Sequence, residues 1–372
     1  MKVICVCPDN DKDMLEMLND KVKRGERLTE DEADLLESFK RMKDNGIEAD
    51  DMNDKTASMF RMLLSEGVHM IGEPNLMTAM VGAGRERFIN VKALEDNPDI
   101  LDNYDYVYIN IANNVNDWAN RVKNIAKSKK KKIIGNIDFA LDVVFNVYKD
   151  PITEIIMLMD GVDYPFYVTE NGAKSISYFI GREVAYIPHP AHIEHLSHYR
   201  APMKFRFDKK VIVFMAHNFD NSMLSFYINA SVKLMHDGYT TIIIGLTDDN
   251  QVKFMSRYFT HCAERLNNNK MLELVGSSLA MVDLYGICSI HRTAMECAGT
   301  GTYFIGLHNT DAVETLWKES GVKKDDIDAI IEQVKGLTMK KHNMVTSKAI
   351  KELKNKYSIE TVGQKLKQYV GE

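Results

Sequence analysis

The chain has 372 residues, 45% of them hydrophobic, which suits two globular domains of ordinary size better than one. Its net charge of −6, with 27% charged residues, excludes a polycation, so any nucleic-acid contact needs a local basic surface. The five cysteines (Cys5, Cys7, Cys262, Cys288, Cys297) lack zinc-ligand spacing, and no apolar run approaches the ~20 residues of a membrane span, so a cytoplasmic protein with reduced thiols and no membrane partner is expected.

In chain order, "MKVICVC" reads as a first strand. Residues 11–52 form a charged helical stretch, in which Thr29 and Glu32 have the spacing of a capping box. "KTASMFRMLLSEG" reads as a core helix, "YDYVYINI" as a strand, 115–128 as a helix and "KKIIGNI" as a strand. "YPFYVTE", a helix at 171–180 and "EVAYIPHP" continue the alternation, and 192–209, with Pro202 and mixed charge, reads as a linker. The pattern restarts with "KKVIVFMAH" (strand), 220–236 (helix), "YTTIIIG" (strand), 248–266 (helix), "KMLELVG" (short strand) and "LAMVDLYGI". Amphipathic helices close the chain. Strands alternating with helices in two halves predict two Rossmann-like α/β domains facing across a cleft, where ligands bind at the carboxyl ends of strands.

The stretch "CSIHRTAMECAGTGTYFIG", residues 288–306, carries the most chemistry. With Ser289 as N-cap, His291 and Arg292 fall in the first helical turn, where free N–H groups and the helix dipole attract anions. An arginine there suits a diphosphate, which it grips in bidentate fashion. Glu296 lies one turn on, on the same face, where a carboxylate can accept from both hydroxyls of a ribose. Gly299 and Gly301 let the chain leave the helix before the strand "TYFIG". The bland alternative is an ordinary Arg–Glu pair on a solvated face.

"ECAGTGTYFIG" resembles the nucleotide-sugar motif of GT-B glycosyltransferases: a glutamate, a run of small residues, a Gly-Thr pair and a buried strand. "YPFYVTENGAKSISYFIGREVAYIPHP" is similar to the end of their first domain. Within that fold, "KSKKKKIIGNIDFA" and an arginine shortly before the glutamate resemble the DNA β-glucosyltransferases of T-even phages. The resemblance implies a GT-B fold, ribose binding by Glu296 and Asp138 as general base. It implies donor contacts from Arg292, His291 and Gly301, and from His217, Asn218 and Ser222 in "MAHNFDNSML". That loop lacks the basic residues usual in the family, Cys288 stands where its motif has a first glutamate, and 11–52 is an insertion.

The implied activity is transfer of a sugar from a UDP-sugar to a hydroxyl, with the 5-hydroxymethyl group of a modified cytosine in double-stranded phage DNA as acceptor. A glycan, lipid or small-molecule acceptor, or an inactive relative that only binds nucleotide sugar or DNA, stays open, as does a divalent metal. The expected domains are 1–195 for the acceptor, 196–340 for the donor, and helices at 341–372 that pack back toward the first. The chain is expected to act as a monomer.

A base at Asp138 would take the acceptor proton as the anomeric carbon is attacked; Asp138 as a helix N-cap, with Asp142 or Asp160 as the base, is the alternative. Lys129, Lys130, Lys131 and Lys132, with Arg85 and Arg87, are the candidate contacts to a phosphate backbone, against the usual fate of a lysine run as a solvated helix end. His189, His192, His195 and His198 recur every three residues but read as non-ligand histidines, since no acid or thiol joins them.

Overall fold

The computed structural model describes residues 2–7, 22–23, 88–111, 116–137, 141, 145, 150–216, 221–246, 249–264, 266, 268–284, 292–308, 310–323 and 326–371. The chain divides into two compact units, one of Met1–Phe139, Val143–Pro188 and Gly363–Glu372, the other of Ala140–Asp142 and His189–Val362.

In the first unit the strands are β1 (Val3–Cys7), β2 (Phe88–Asn90), β3 (Tyr106–Ile111), β4 (Lys132–Ile137), β5 (Tyr164–Tyr167) and β6 (Ala185–Tyr186). They pair in the order β2-β1-β3-β4-β5-β6, every pair parallel. The described helices between them are α1 (Val91–Asp96), α2 (Asn116–Ser128), α3 (Pro151–Met159) and α4 (Glu170–Ile180). Val107, Ile109, Ile133, Ile134 and Phe166 are buried, the continuous apolar runs of strands covered on both faces.

The second unit holds β7 (Val211–Met215), β8 (Thr240–Leu246), β9 (His261–Glu264), β10 (Ala280–Asp283), β11 (Tyr303–Leu307) and β12 (Gly321–Val322), again all parallel. Their order is β12-β11-β10-β7-β8-β9. Counted from β7, that is the dinucleotide-fold order 3-2-1-4-5-6, which reverses between β7 and β10; ligands of such sheets bind beyond the carboxyl ends at that reversal. The helices are α5 (Ile193–Ser197), α6 (Met203–Lys209), α7 (Asn221–His236), α8 (Asp249–Met255), α9 (Asn268–Ser277), α10 (Arg292–Thr300), α11 (Asp311–Leu316), α12 (Ile327–Lys335), α13 (Met339–Tyr357) and α14 (Ile359–Val370). The end of α14 belongs to the first unit, where the Tyr369 hydroxyl donates to the Pro165 carbonyl.

Three expected elements differ. "KMLELVG" is part of helix α9, whose Leu272 and Val275 are buried on one face. The helix expected over 248–266 stops at Met255, and His261–Glu264 adds strand β9 to the edge of β8. The expected linker 192–209 folds as α5 and α6 within the second unit, and buries Arg206. The core helix expected at "KTASMFRMLLSEG", the 11–52 insertion and its capping box lie outside the described residues.

Candidate nucleotide-sugar site

Helix α10 follows β10, with 285–291, and hence Ser289 and His291, outside the described residues. Its first turn is tied to the carboxyl end of β10. Asp283, the last residue of that strand and buried, accepts from the Thr293 hydroxyl at 2.5 Å. Arg292 opens the helix and donates through Nε to Glu296 Oε1 at 2.8 Å, an i,i+4 pair. The pair is not on a solvated face: Glu296 is 4% exposed. Arg292 Nη1 is buried and has no hydrogen-bond partner among the described residues. A guanidinium that spends one nitrogen on Glu296 and leaves another buried and unpaired is incomplete by itself, because such a donor costs about 1–3 kcal/mol.

The surroundings set the electrostatics. Burial pushes the Glu296 carboxyl above its ordinary 4.5, opposed by the charge and hydrogen bond of Arg292 and assisted by Asp283. His189 is buried, with Nδ1 3.1 Å from the Pro190 carbonyl; burial, then the Arg292 charge, lowers it to about 4, so the ring is neutral near pH 7. Burial raises the Cys297 thiol well above its ordinary value, which removes it as a nucleophile.

The far end of α10 is fixed by its glycines and two arginines. Gly301 has φ +71°, its N–H donates to the Ala298 carbonyl and the Thr302 N–H to the Cys297 carbonyl, the paired bonds of a Schellman cap. A Cβ at Gly299 would stand 2.4 Å from Leu196, so α5 packs directly on that glycine. Arg206 donates to the carbonyls of Ala201, Ser278, Thr300 and Gly301 and to the Thr302 hydroxyl, and Arg200 donates to the Gly299 carbonyl. Two cations thus meet the negative end of the helix dipole. Sequence reasoning did not find this role for either arginine. Apart from Ala201, their partners lie some 70 to 100 residues away, which no local pattern announces.

Of the predicted donor residues, Arg292, Glu296 and Gly301 stand on this one helix and its cap. Ser222 is the second residue of α7, the helix that follows β7 across the reversal; His217 and Asn218 lie outside the described residues. Asp138 directly follows β4 in sequence and, with Asp142, Arg85 and Arg87, is also outside them. Asp160 ends α3 on the way into β5, at the amino edge of the first sheet, opposite the edge where this fold places chemistry.

The lysine run occupies the α2–β4 turn on that same amino edge. Lys129 pairs with Asp99 and Asp102, Lys132 with Asp163, and Lys131 donates to the Tyr104 carbonyl. Among the histidines, His192 caps α5 by accepting from the His195 N–H. Among the described residues no group of three or more His, Cys, Asp or Glu has metal-binding geometry, and no helix is long and apolar enough to cross a membrane.

No protein-family model matches the sequence, and none of the curated proteins does. Solved structures match in fold. An alpha-glucosyltransferase in complex with UDP and a DNA containing an HMU base superposes with a TM-score of 0.59 at 12% identity, over 77% of this chain and 86% of that one. HepE from Anabaena, in complex with UDP and glucose, gives 0.61 at 11% identity, over 80% and 96%. The sucrose-phosphate synthase of Thermosynechococcus elongatus gives 0.56 at 11% identity, over 75% and 76%. The two parallel sheets and these superpositions identify the chain as having the GT-B fold of glycosyltransferases, with two Rossmann-like α/β domains.

Proposed function

We propose that the chain is a glycosyltransferase that moves a sugar from a UDP-sugar to a hydroxyl, with the hydroxymethyl group of a modified cytosine in duplex DNA as acceptor. The observation that carries the donor half is the part-buried Arg292–Glu296 pair, with Arg292 Nη1 buried and without a partner among the described residues, in the first turn of the helix that follows β10. The helix N-terminus supplies free N–H groups, Arg292 a charged donor for the diphosphate, and Glu296 a charged acceptor for the ribose hydroxyls. His217, Asn218 and Ser222, which follow β7 in sequence, are the proposed further contacts to the same ligand. Complexes of the structural neighbours with UDP support this donor, and the DNA held by the alpha-glucosyltransferase supports the acceptor.

In the reaction, the acceptor oxygen bonds to the anomeric carbon, the bond from that carbon to the diphosphate breaks, and UDP leaves. Asp138 takes the hydroxyl proton, and Arg292 with the α10 N-terminus holds the charge gathering on the diphosphate. A base in duplex has to leave the stack to present its hydroxymethyl group. Arg85 and Arg87 are the first-unit candidates for holding the phosphate backbone, whereas Lys129, Lys131 and Lys132 of the Lys129–Lys132 run are already engaged with Asp99, Asp102, Asp163 and the Tyr104 carbonyl and are the weaker ones.

The test is to incubate the protein with hydroxymethylcytosine DNA and a panel of UDP-sugars, then analyse the nucleosides by mass spectrometry. A glycosylated hydroxymethyl nucleoside is expected with one donor. UDP binding without any DNA product would move the acceptor to another hydroxyl class; neither binding nor product would overturn the proposal.

A further inference from the structure

We infer that the exposed face of helix α13 is a nucleic-acid docking surface, built to hold a phosphate backbone through Lys340, Lys351 and Lys354. This deepens the proposed function and rests on its DNA acceptor. The helix carries six lysines against one glutamate, in a chain whose net charge is −6. Its apolar side is spent on the second unit's own core, where Val345, Ala349, Leu353 and Tyr357 are buried. What it turns outward is cationic. Lys340, Met344, Ser347, Lys351 and Lys354 follow one another at three- and four-residue steps, which is one stripe of an α-helix, and all five are exposed.

Lys341 is half-buried, and the five exposed lysines of α13 divide into two sets. Lys348 pairs with Glu319 and Lys356 with Glu352, so their charge is largely answered. Lys340, Lys351 and Lys354 have no ion-pair partner among the described residues. The contrast with the first unit is direct: Lys129 and Lys132 are matched by Asp99, Asp102 and Asp163. A matched lysine projects little field and must give up its carboxylate to bind a phosphate, whereas an unmatched one releases counterions at no such cost.

From Lys340 to Lys354 the helix spans about 21 Å at 1.5 Å per residue, a length over which duplex DNA presents roughly twelve phosphate charges. A membrane surface fits less well. Interfacial helices insert their apolar face, and here that face is in the core, leaving Met339 and Met344 as the large apolar side chains exposed on this helix.

The experiment uses the full chain, its Lys340→Gln/Lys351→Gln/Lys354→Gln variant and a Lys129→Gln/Lys132→Gln variant. Fluorescence anisotropy with an unmodified duplex across a salt series reads the number of phosphates neutralised, while calorimetry with UDP reads the donor site separately. Each lost phosphate contact lowers the slope of log K against log salt by about 0.9, so the triple variant should lose up to about 2.7 and bind several-fold or more weakly. UDP affinity should be unchanged and the Lys129/Lys132 slope should shift less. Wild-type slope in the triple variant would overturn the inference and leave the acceptor proposal standing on another surface. Absence of DNA binding by the wild type would overturn both. Binding of phosphatidylserine vesicles that depends on the three lysines, with none of duplex, would assign the face to a membrane instead.

Discussion

Replacing Glu296 with glutamine should weaken ligand binding without weakening the fold. The carboxyl is 4% exposed, and burial raises its pKa above 4.5 even against the neighbouring Arg292 charge. Ionising it is therefore harder in the folded chain than in the unfolded one. Its contribution is fully present below pH 4.5 and is lost as pH rises through the raised folded value. Glutamine keeps the neutral form at every pH, so Glu296→Gln should be at least as stable as the parent near neutrality, and the gain should vanish below pH 4.5.

Binding goes the other way. Exchanging a charged acceptor for a neutral one reduces a hydrogen bond from about 1.5–3 to about 0.5–1.5 kcal/mol, a loss of about 1 kcal/mol or roughly fivefold in UDP affinity. Removing the acceptor altogether in Glu296→Ala should cost about 1.5–3 kcal/mol, or roughly tenfold to over a hundredfold. Denaturant midpoints across the pH range, beside calorimetric titrations with UDP, read both quantities. A folded Glu296→Gln protein with undiminished UDP affinity, or one clearly less stable at neutral pH, would refute the reasoning: the pair would then be structural.

Arg292→Ala should weaken UDP far more than uridine if Nη1, which has no partner among the described residues, serves the diphosphate as proposed; equal losses in two calorimetric titrations would contradict that role. Asp138→Asn should lower turnover by ~10²–10⁴-fold with the UDP dissociation constant nearly unmoved, and Asp160→Asn, at the amino edge of its sheet, should turn over normally. A dead Asp160→Asn beside an active Asp138→Asn would put the base elsewhere. Arg206→Met removes a buried cation bonded to four carbonyls and a hydroxyl, and should destabilise by about 3–5 kcal/mol in denaturant titrations. A change under about 1 kcal/mol would show those groups re-satisfied.

Much of the second unit was legible because its signals are local. "ECAGTGTYFIG" encodes a helix face, an αL glycine and a buried strand within eleven residues, and each appears at its place. "KMLELVG" misled because a short apolar window does not separate a period of 2 from 3.6; extended back to Asn268, the segment packs Leu272 and Val275 inward as a helix. The stretch after Met255 runs through Tyr258, Phe259 and Thr260, which favour extended structure over helix, and His261–Glu264 then pairs to the edge of β8. Pro202 suggested a break, yet a proline is also well suited to the start of a helix, and it stands immediately before α6. The lysine run was visible as charge, whereas its pairing with Asp99, Asp102 and Asp163 arises only when distant segments meet.

The most direct test of the account is amide hydrogen exchange on the full chain with and without UDP. Protection should concentrate on the segment between β10 and α10 and on the first turn of α10, with a second patch after β7, because bound phosphates occupy those N–H groups. Protection confined to the first unit, or no protection at saturating UDP, would contradict a donor site built on Arg292 and Glu296.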